Sequence, residues 1–332
     1  EYIEGLLENQ ILNYSHSFNT NVSYIHYNLS IPNEDIALRL SGNYVVLVYE
    51  DFDTENIVMV RRFMVTEKKV NIQSSVKRPM LTTHRNSGQE IDFSILYGNY
   101  PIQDPFSEIH VSILQNGRWD NTITQLQPLF VRSGSLEYDY DSENIFPGGS
   151  EFRWFDIKSM RYQSPYIKNV VYRNNMYHVE LFPDENRAGK QYFFDNDLNG
   201  KFYVEVQEQP NNETDADYVA VYFSFPFEAP PANRRLYILG SLTNWVYRPL
   251  NEMKYNLETA SYEAILLLKQ GYYNYQYAFV EEGTSTGLGS CTEGDHYETE
   301  NDYLIFVYHR PVNSRYDRII GYQVVNSLYG KK

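Results

Sequence analysis

Apolar and polar residues alternate with period two along most of this chain, and turn residues cut the pattern roughly every 8–12 positions. No segment carries the 3.6-residue period of an amphipathic helix. That combination confines the chain to sheets. Residues 43–49, NYVVLVY, form the nearly continuous apolar run of a strand buried on both faces. EDFDTEN supplies a turn, and IVMVRRFMV (57–65) returns as its partner. Ahead of this hairpin SYIHYNLSIPN alternates as a strand and stops at Pro32, which cannot donate to a ladder.

The same signals continue to the end. IDFSIL (91–96), IHVSILQ (109–115), EFRWFDIKS (151–159), MYHVELF (176–182) and KFYVEVQ (201–207) read as strands, with Asn116-Gly117 as a type I′ turn signal. YVAVYFSF (218–225), RRLYIL (234–239), YEAILLL (262–268), YNYQYAFV (273–280) and DYLIFVYH (302–309) follow. Between the two series lies PNNETDAD (210–217), polar except for Ala216, which reads as a linker. The expected fold class is therefore all-β, with two or three tandem immunoglobulin-like sandwiches. Residues 1–69 would form an incomplete sandwich, 70–210 a second, and 211–332 a C-terminal sandwich resembling early-set and glycogen-binding modules.

Composition narrows the function classes. The net charge of −15 argues against nucleic acid and against an anionic membrane surface. No run of apolar residues is long enough for a membrane-spanning helix, so direct membrane insertion is not expected. The 32 tyrosines outnumber the 26 leucines. Tyrosine suits half-buried sheet faces and also protein interfaces, where the ring buries area while its hydroxyl stays satisfied. A single cysteine, Cys291, excludes an internal disulfide. No nucleophile elbow, phosphate-cradling loop or zinc spacing is present, so no enzyme activity and no cofactor are expected.

Two short motifs invite a ligand. DNDLNG (195–200) copies the start of an EF-hand loop, with oxygens at Asp195, Asp197 and Asn199. Position 12 is Val206 where a bidentate Glu is needed, and the flanks read as strands, so a hairpin turn is preferred to a calcium site. GSLTNW (240–245), followed by LKQGYYNYQYAFV, is similar to the sugar platform of glycogen-binding modules. Trp245 would match the first platform Trp, with Tyr247 and Gln276 beside it. The second Trp of that family has no counterpart, and Gln276 stands where Lys is usual. A packing role for Trp245 is the preferred reading, with glycan binding as the alternative.

A longer series of phrases is more specific. SHSFNTNVSYIHYNLSIPN, LSGNYVVLVYED, SILQNGRWDN, GGSEFRWFD, DNDLNGKF, ADYVAVYFSF, LLKQGYYNYQY, TENDYLIFVYHR and YDRIIGYQVVNS occur in this order. Through them the whole chain resembles the plug protein family of the Bacteroidota type IX secretion system. The resemblance implies a periplasmic, non-enzymatic protein without cofactor. It would dock at the periplasmic end of a giant outer-membrane β-barrel translocon and close its pore, with no homo-oligomer expected. It also implies that the chain is trimmed at its N-terminus, since family members carry further sequence ahead of EYIEG. It supplies no map of partner-binding residues.

Overall fold

The computed structural model describes residues 2–329. Its regular elements are almost all strands, as the alternation requires; helix is confined to single turns such as Pro105–Glu108 and Asn212–Asp215.

The N-terminal unit is a set of two-stranded antiparallel pairs. Ile3–Gly5 pairs with Ile36–Leu38, Tyr14–His16 with Ile25–Tyr27, and Gly42–Tyr49 with Ile57–Val65. Among the described residues before Val70 only Ser41 is buried. The hairpin expected to be buried on both faces instead exposes Val45, Leu47, Val58 and Val60. Two strands cannot cover two apolar faces, so these side chains stay in solvent.

The next sandwich is assembled from both halves of the chain. Its first sheet is built around Gly88–Leu96, with Asn71–Lys77 on one side and Ser135–Tyr138 and Ile145–Pro147 on the other. Its second sheet joins Ile109–Gln115 to Asp302–His309 and Arg318–Asn326. Ile91, Phe93 and Ile95 from one sheet meet Val111, Ile113, Ile305 and Val307 from the other in one core. This is the host sandwich.

A third unit is inserted into it. One sheet orders Ile167–Arg173, Met176–Leu181, Tyr218–Pro226, Ser261–Lys269 and Lys254–Asn256. The facing sheet is built on Gly271–Glu281, which pairs with Arg153–Asp156, Phe202–Val204 and Arg234–Leu239. Alternation along Gly271–Glu281 turns Tyr273, Tyr275, Tyr277 and Phe279 into the core with Phe155, Phe223 and Phe225. Part of the tyrosine surplus is therefore interior. Tyr275 and Tyr277 both donate to Asp184 Oδ2, at 2.7 and 2.6 Å, which satisfies two hydroxyls inside an apolar core.

Three expectations are corrected here. The sheets do not divide near residue 210, because Met176–Leu181 pairs in parallel with Tyr218–Pro226. Nor do strands 302–309 and 318–326 belong with 218–281; they complete the sheet of 109–115. The polar stretch 210–217 is no loose linker either. Asn211 caps a single helical turn, and Asp215, Ala216 and Asp217 are buried. Polar composition marked this segment as wet, but its carboxylates are used as internal acceptors.

Candidate functional site

The two ligand-like motifs meet at the joint between the sandwiches. Strand Arg234–Leu239 ends in a 3₁₀ turn, Ser241–Thr243, and the chain then passes through left-handed conformations at Asn244 and Trp245. This lays the half-buried indole of Trp245 against Tyr237, Leu239 and Ala278. Phe152 approaches it edge-on at 5.8 Å, and the Arg118 guanidinium lies 5.7 Å from the ring centre. Arg118 forks onto Asp120, at 3.0 and 2.7 Å, and the Tyr247 hydroxyl donates to the same carboxylate. Gly287 N adds a donor at 3.0 Å. Gln276 is buried within strand Gly271–Glu281. Trp245 and Tyr247 thus face the host sandwich rather than forming an open platform.

In DNDLNG both aspartates are engaged, whereas Asn199 Oδ1 is buried without a hydrogen-bond partner. Asp195 Oδ2 accepts from Trp154 Nε1 at 3.0 Å. Asp197 accepts from Asn199 N at 2.6 Å and from Phe152 N. Burial outweighs those donors and pushes the Asp197 carboxyl up to about 6. Asn199 and Gly200 take left-handed backbone angles, as a tight turn demands. The preceding segment QYFF is not a strand.

Beside this turn a cleft of ≈ 360 Å³ opens on Arg153, Asp184, Arg187 and Glu293. Arg153 bonds Glu293 and Asp184, each at 3.0 Å, and Arg187 Nε donates to Glu293 at 2.9 Å. Burial opposes the charge on Glu293, but the two guanidinium groups outweigh it and hold the carboxyl below its usual range. The charges serve one another. Arg153 of the segment EFRWFDIKS thus finds its carboxylate partners far away in the chain.

The chain leaves the host sandwich at Gly148 and returns by Asn301. A Cβ on Gly148 would lie 2.0 Å from the His296 carbonyl oxygen, so only glycine permits this crossing. Asn301 is buried there. It donates to Gln89 Oε1 at 3.0 Å and Gly148 O at 2.8 Å, and accepts from Asn116 at 2.7 Å. This buried network ties together the points at which the chain leaves and re-enters the host sandwich.

The N-terminal unit braces both. Asp217 accepts from Asn21 N at 2.8 Å, Asn21 Nδ2 at 2.6 Å and Val22 N at 3.0 Å. Tyr24 packs edge-on against Tyr218, and the Lys269 ammonium lies 3.8 Å from its ring centre. At the other end Glu67 receives Arg318 Nε at 2.9 Å and the Ser41 hydroxyl at 2.8 Å. Arg62 covers the Trp119 ring at 4.3 Å. None of these tethers had a sequence signal, because each joins residues far apart in the chain.

What remains exposed and apolar is the candidate contact surface. It comprises the protruding half of hairpin 42–65 and the outer face of the inserted sandwich. On that face Val171, His178, Ala220 and Leu267 lie in one cross-strand row, with Tyr222 and Ile265 in the next. Ile265 and Leu267 are 54% and 52% exposed. Val171, Ile265 and Leu267 are exposed there, whereas Ala220 is buried and His178 is polar; exposed apolar side chains of this kind are suited to a protein partner.

Residues 1–67 match the family described as "Type 9 secretion system plug protein 1st domain". The structure is also similar to a crystal structure of a hypothetical protein from Parabacteroides merdae ATCC 43184. The TM-score is 0.95 at 36% identity, over 98% of this chain and 82% of that one. No curated protein matches the sequence.

Proposed function

Because the chain belongs to the family of type IX secretion system plug proteins, we propose that it is a stopper without enzymatic activity. In this reading it binds the periplasmic end of the giant outer-membrane translocon barrel and keeps its pore closed. The observation that carries the reading is the tying of three units together through hydrogen bonds, ion pairs and ring contacts between distant parts of the chain. A stopper must resist deformation, and a flexible tether at any joint would let solute pass.

Size is compatible. A compact chain of this length has a radius of gyration of roughly 20 Å and a width of about 50 Å. Barrels of up to about 36 strands could leave a lumen of that order. The exposed apolar rows supply contact area for the roughly 1,000 Å² that a specific interface needs. Association with the outer membrane would run through the barrel. Among the described residues no helix is long and apolar enough to cross a membrane.

The test uses the full chain in its native cell. An affinity-tagged copy should co-purify with the translocon barrel, and deletion of the gene should make the outer membrane leak large hydrophilic solutes. A chain that elutes without the barrel, together with a deletion strain that stays tight, would end this reading.

A further inference from the structure

The outer face of the host sandwich carries a cluster that the plug reading does not use. Ile91, Phe93 and Ile95 of strand Gly88–Leu96 point into the core, so alternation turns Glu90 and Asp92 to the opposite face. Side chains there should be wet, yet Glu90 is 6% and Asp92 7% exposed. Asp139 follows strand Ser135–Tyr138, whose register Tyr138↔Phe93 runs it alongside Asp92. One oxygen from each of the three carboxylates lies within 4.8 Å of the others.

Carboxylates this close repel one another, and the cation at hand is Lys77, opposite Glu90 in register. Its ammonium bonds Asp92 Oδ2 and lies 3.8 Å from Asp139 Oδ1. One positive charge against three negative leaves two uncompensated. Glu90 receives no direct ion pair from Lys77, and its Oε2 is buried and accepts no hydrogen bond. Asn144 holds the other oxygen of Asp92, with Nδ2 3.0 Å from Oδ1. A buried carboxylate without a partner is expensive, and coordination of a metal ion is one way to relieve that cost.

We propose that Glu90, Asp92 and Asp139 are ligands of a hard divalent cation of the calcium type, which displaces the Lys77 ammonium. Anionic oxygen donors select such ions over zinc or copper. Oxygens on opposite sides of Ca²⁺ at about 2.4 Å stand about 4.8 Å apart, so the three fit one coordination sphere. The Lys77 side chain is 46% exposed and can turn out into solvent. The ion would tie the segment after Tyr138 to the central strand of its sheet.

The experiment is calorimetric titration of the chelator-treated full chain with CaCl₂ and, separately, MgCl₂, alongside thermal melts in Ca²⁺ and in EDTA. The expected result is saturable Ca²⁺ binding and a melting temperature that rises in Ca²⁺ and falls back in EDTA. Glu90→Gln should weaken binding by about tenfold or more, and Lys77→Met should tighten it by about tenfold, since a competing unit charge is removed. If folded wild type and folded Lys77→Met both bind no Ca²⁺ at millimolar concentration, the proposal is overturned. Binding that is unchanged in folded Glu90→Gln overturns it equally.

Discussion

Gly200 and Trp245 are in direct contact: a Cβ on the glycine would stand 2.6 Å from both Cζ2 and Cη2 of the indole. The turn of DNDLNG and the loop of GSLTNW are therefore halves of one packed joint. The glycine is needed twice over, because its φ of +77° is also unfavourable for a side chain.

Gly200→Ala should accordingly destabilise the protein by about 2–4 kcal/mol, from overpacking and the left-handed backbone together. Urea unfolding followed by tryptophan fluorescence measures it. A midpoint equal to wild type would mean that the joint is looser than the contact implies.

Asp217→Ala removes the acceptor for Asn21 N, Asn21 Nδ2 and Val22 N. The strand pair 14–16/25–27 should then detach locally while the sandwiches stay folded. Limited proteolysis should cut within residues 8–30 at least about tenfold faster, the factor that about 1.4 kcal/mol of lost local stability gives. Unchanged cleavage would show that Tyr24 and its cation contact hold the segment alone.

Glu151 gives a pH signature. It is buried, its Oε1 accepts from Tyr192 and from Glu300 N, and burial still pushes its carboxyl up to about 7 from 4.5. The folded state therefore binds a proton that the unfolded state releases between about pH 4.5 and 7. Stability falls as pH rises through that window, by up to about 3 kcal/mol. Glu151→Gln should flatten this part of the profile and leave the protein more stable than wild type at pH 8. Denaturant midpoints measured from pH 4.5 to 8 decide it; parallel profiles for the two proteins would refute the assignment.

The outer face of the inserted sandwich can be tested without disturbing the fold. Ile265→Glu combined with Leu267→Glu alters two exposed side chains and should shift stability by about 0.5 kcal/mol each or less. Recovery of the translocon with the tagged variant should drop by about tenfold or more if this face is the contact. Full recovery would move the contact to the protruding hairpin of residues 42–65.

Local chemistry was largely legible in the sequence, and long-range partnership was not. The Asn116-Gly117 turn lies where its residue types placed it, with φ of 53° and 76°. The hairpin 42–65 and most strands of both sandwiches follow from alternation, because period two reports which backbone is extended. Period two does not report which sheet a strand joins, so 302–309 and 318–326 could not be assigned to the sheet of 109–115. Asp217 was hidden for another reason: a buried carboxylate that serves four donors has the same letter as a wet one. Glu90 and Asp92 occupy polar positions of an alternating strand, and the residues that meet Asp92 there, Lys77 and Asn144, come from other parts of the chain.

The insertion of one sandwich into the other also sets an order of events for a chain that emerges N-terminus first. Strand Ile109–Gln115 must wait for Asp302–His309 before its sheet exists, a separation of nearly two hundred residues. The inserted sandwich has all its strands well before then and can close on its own. The host then forms last, around a finished guest, and an incoming chain that stops short of residue 302 leaves Ile109–Gln115 as an open edge ready to pair with a neighbour.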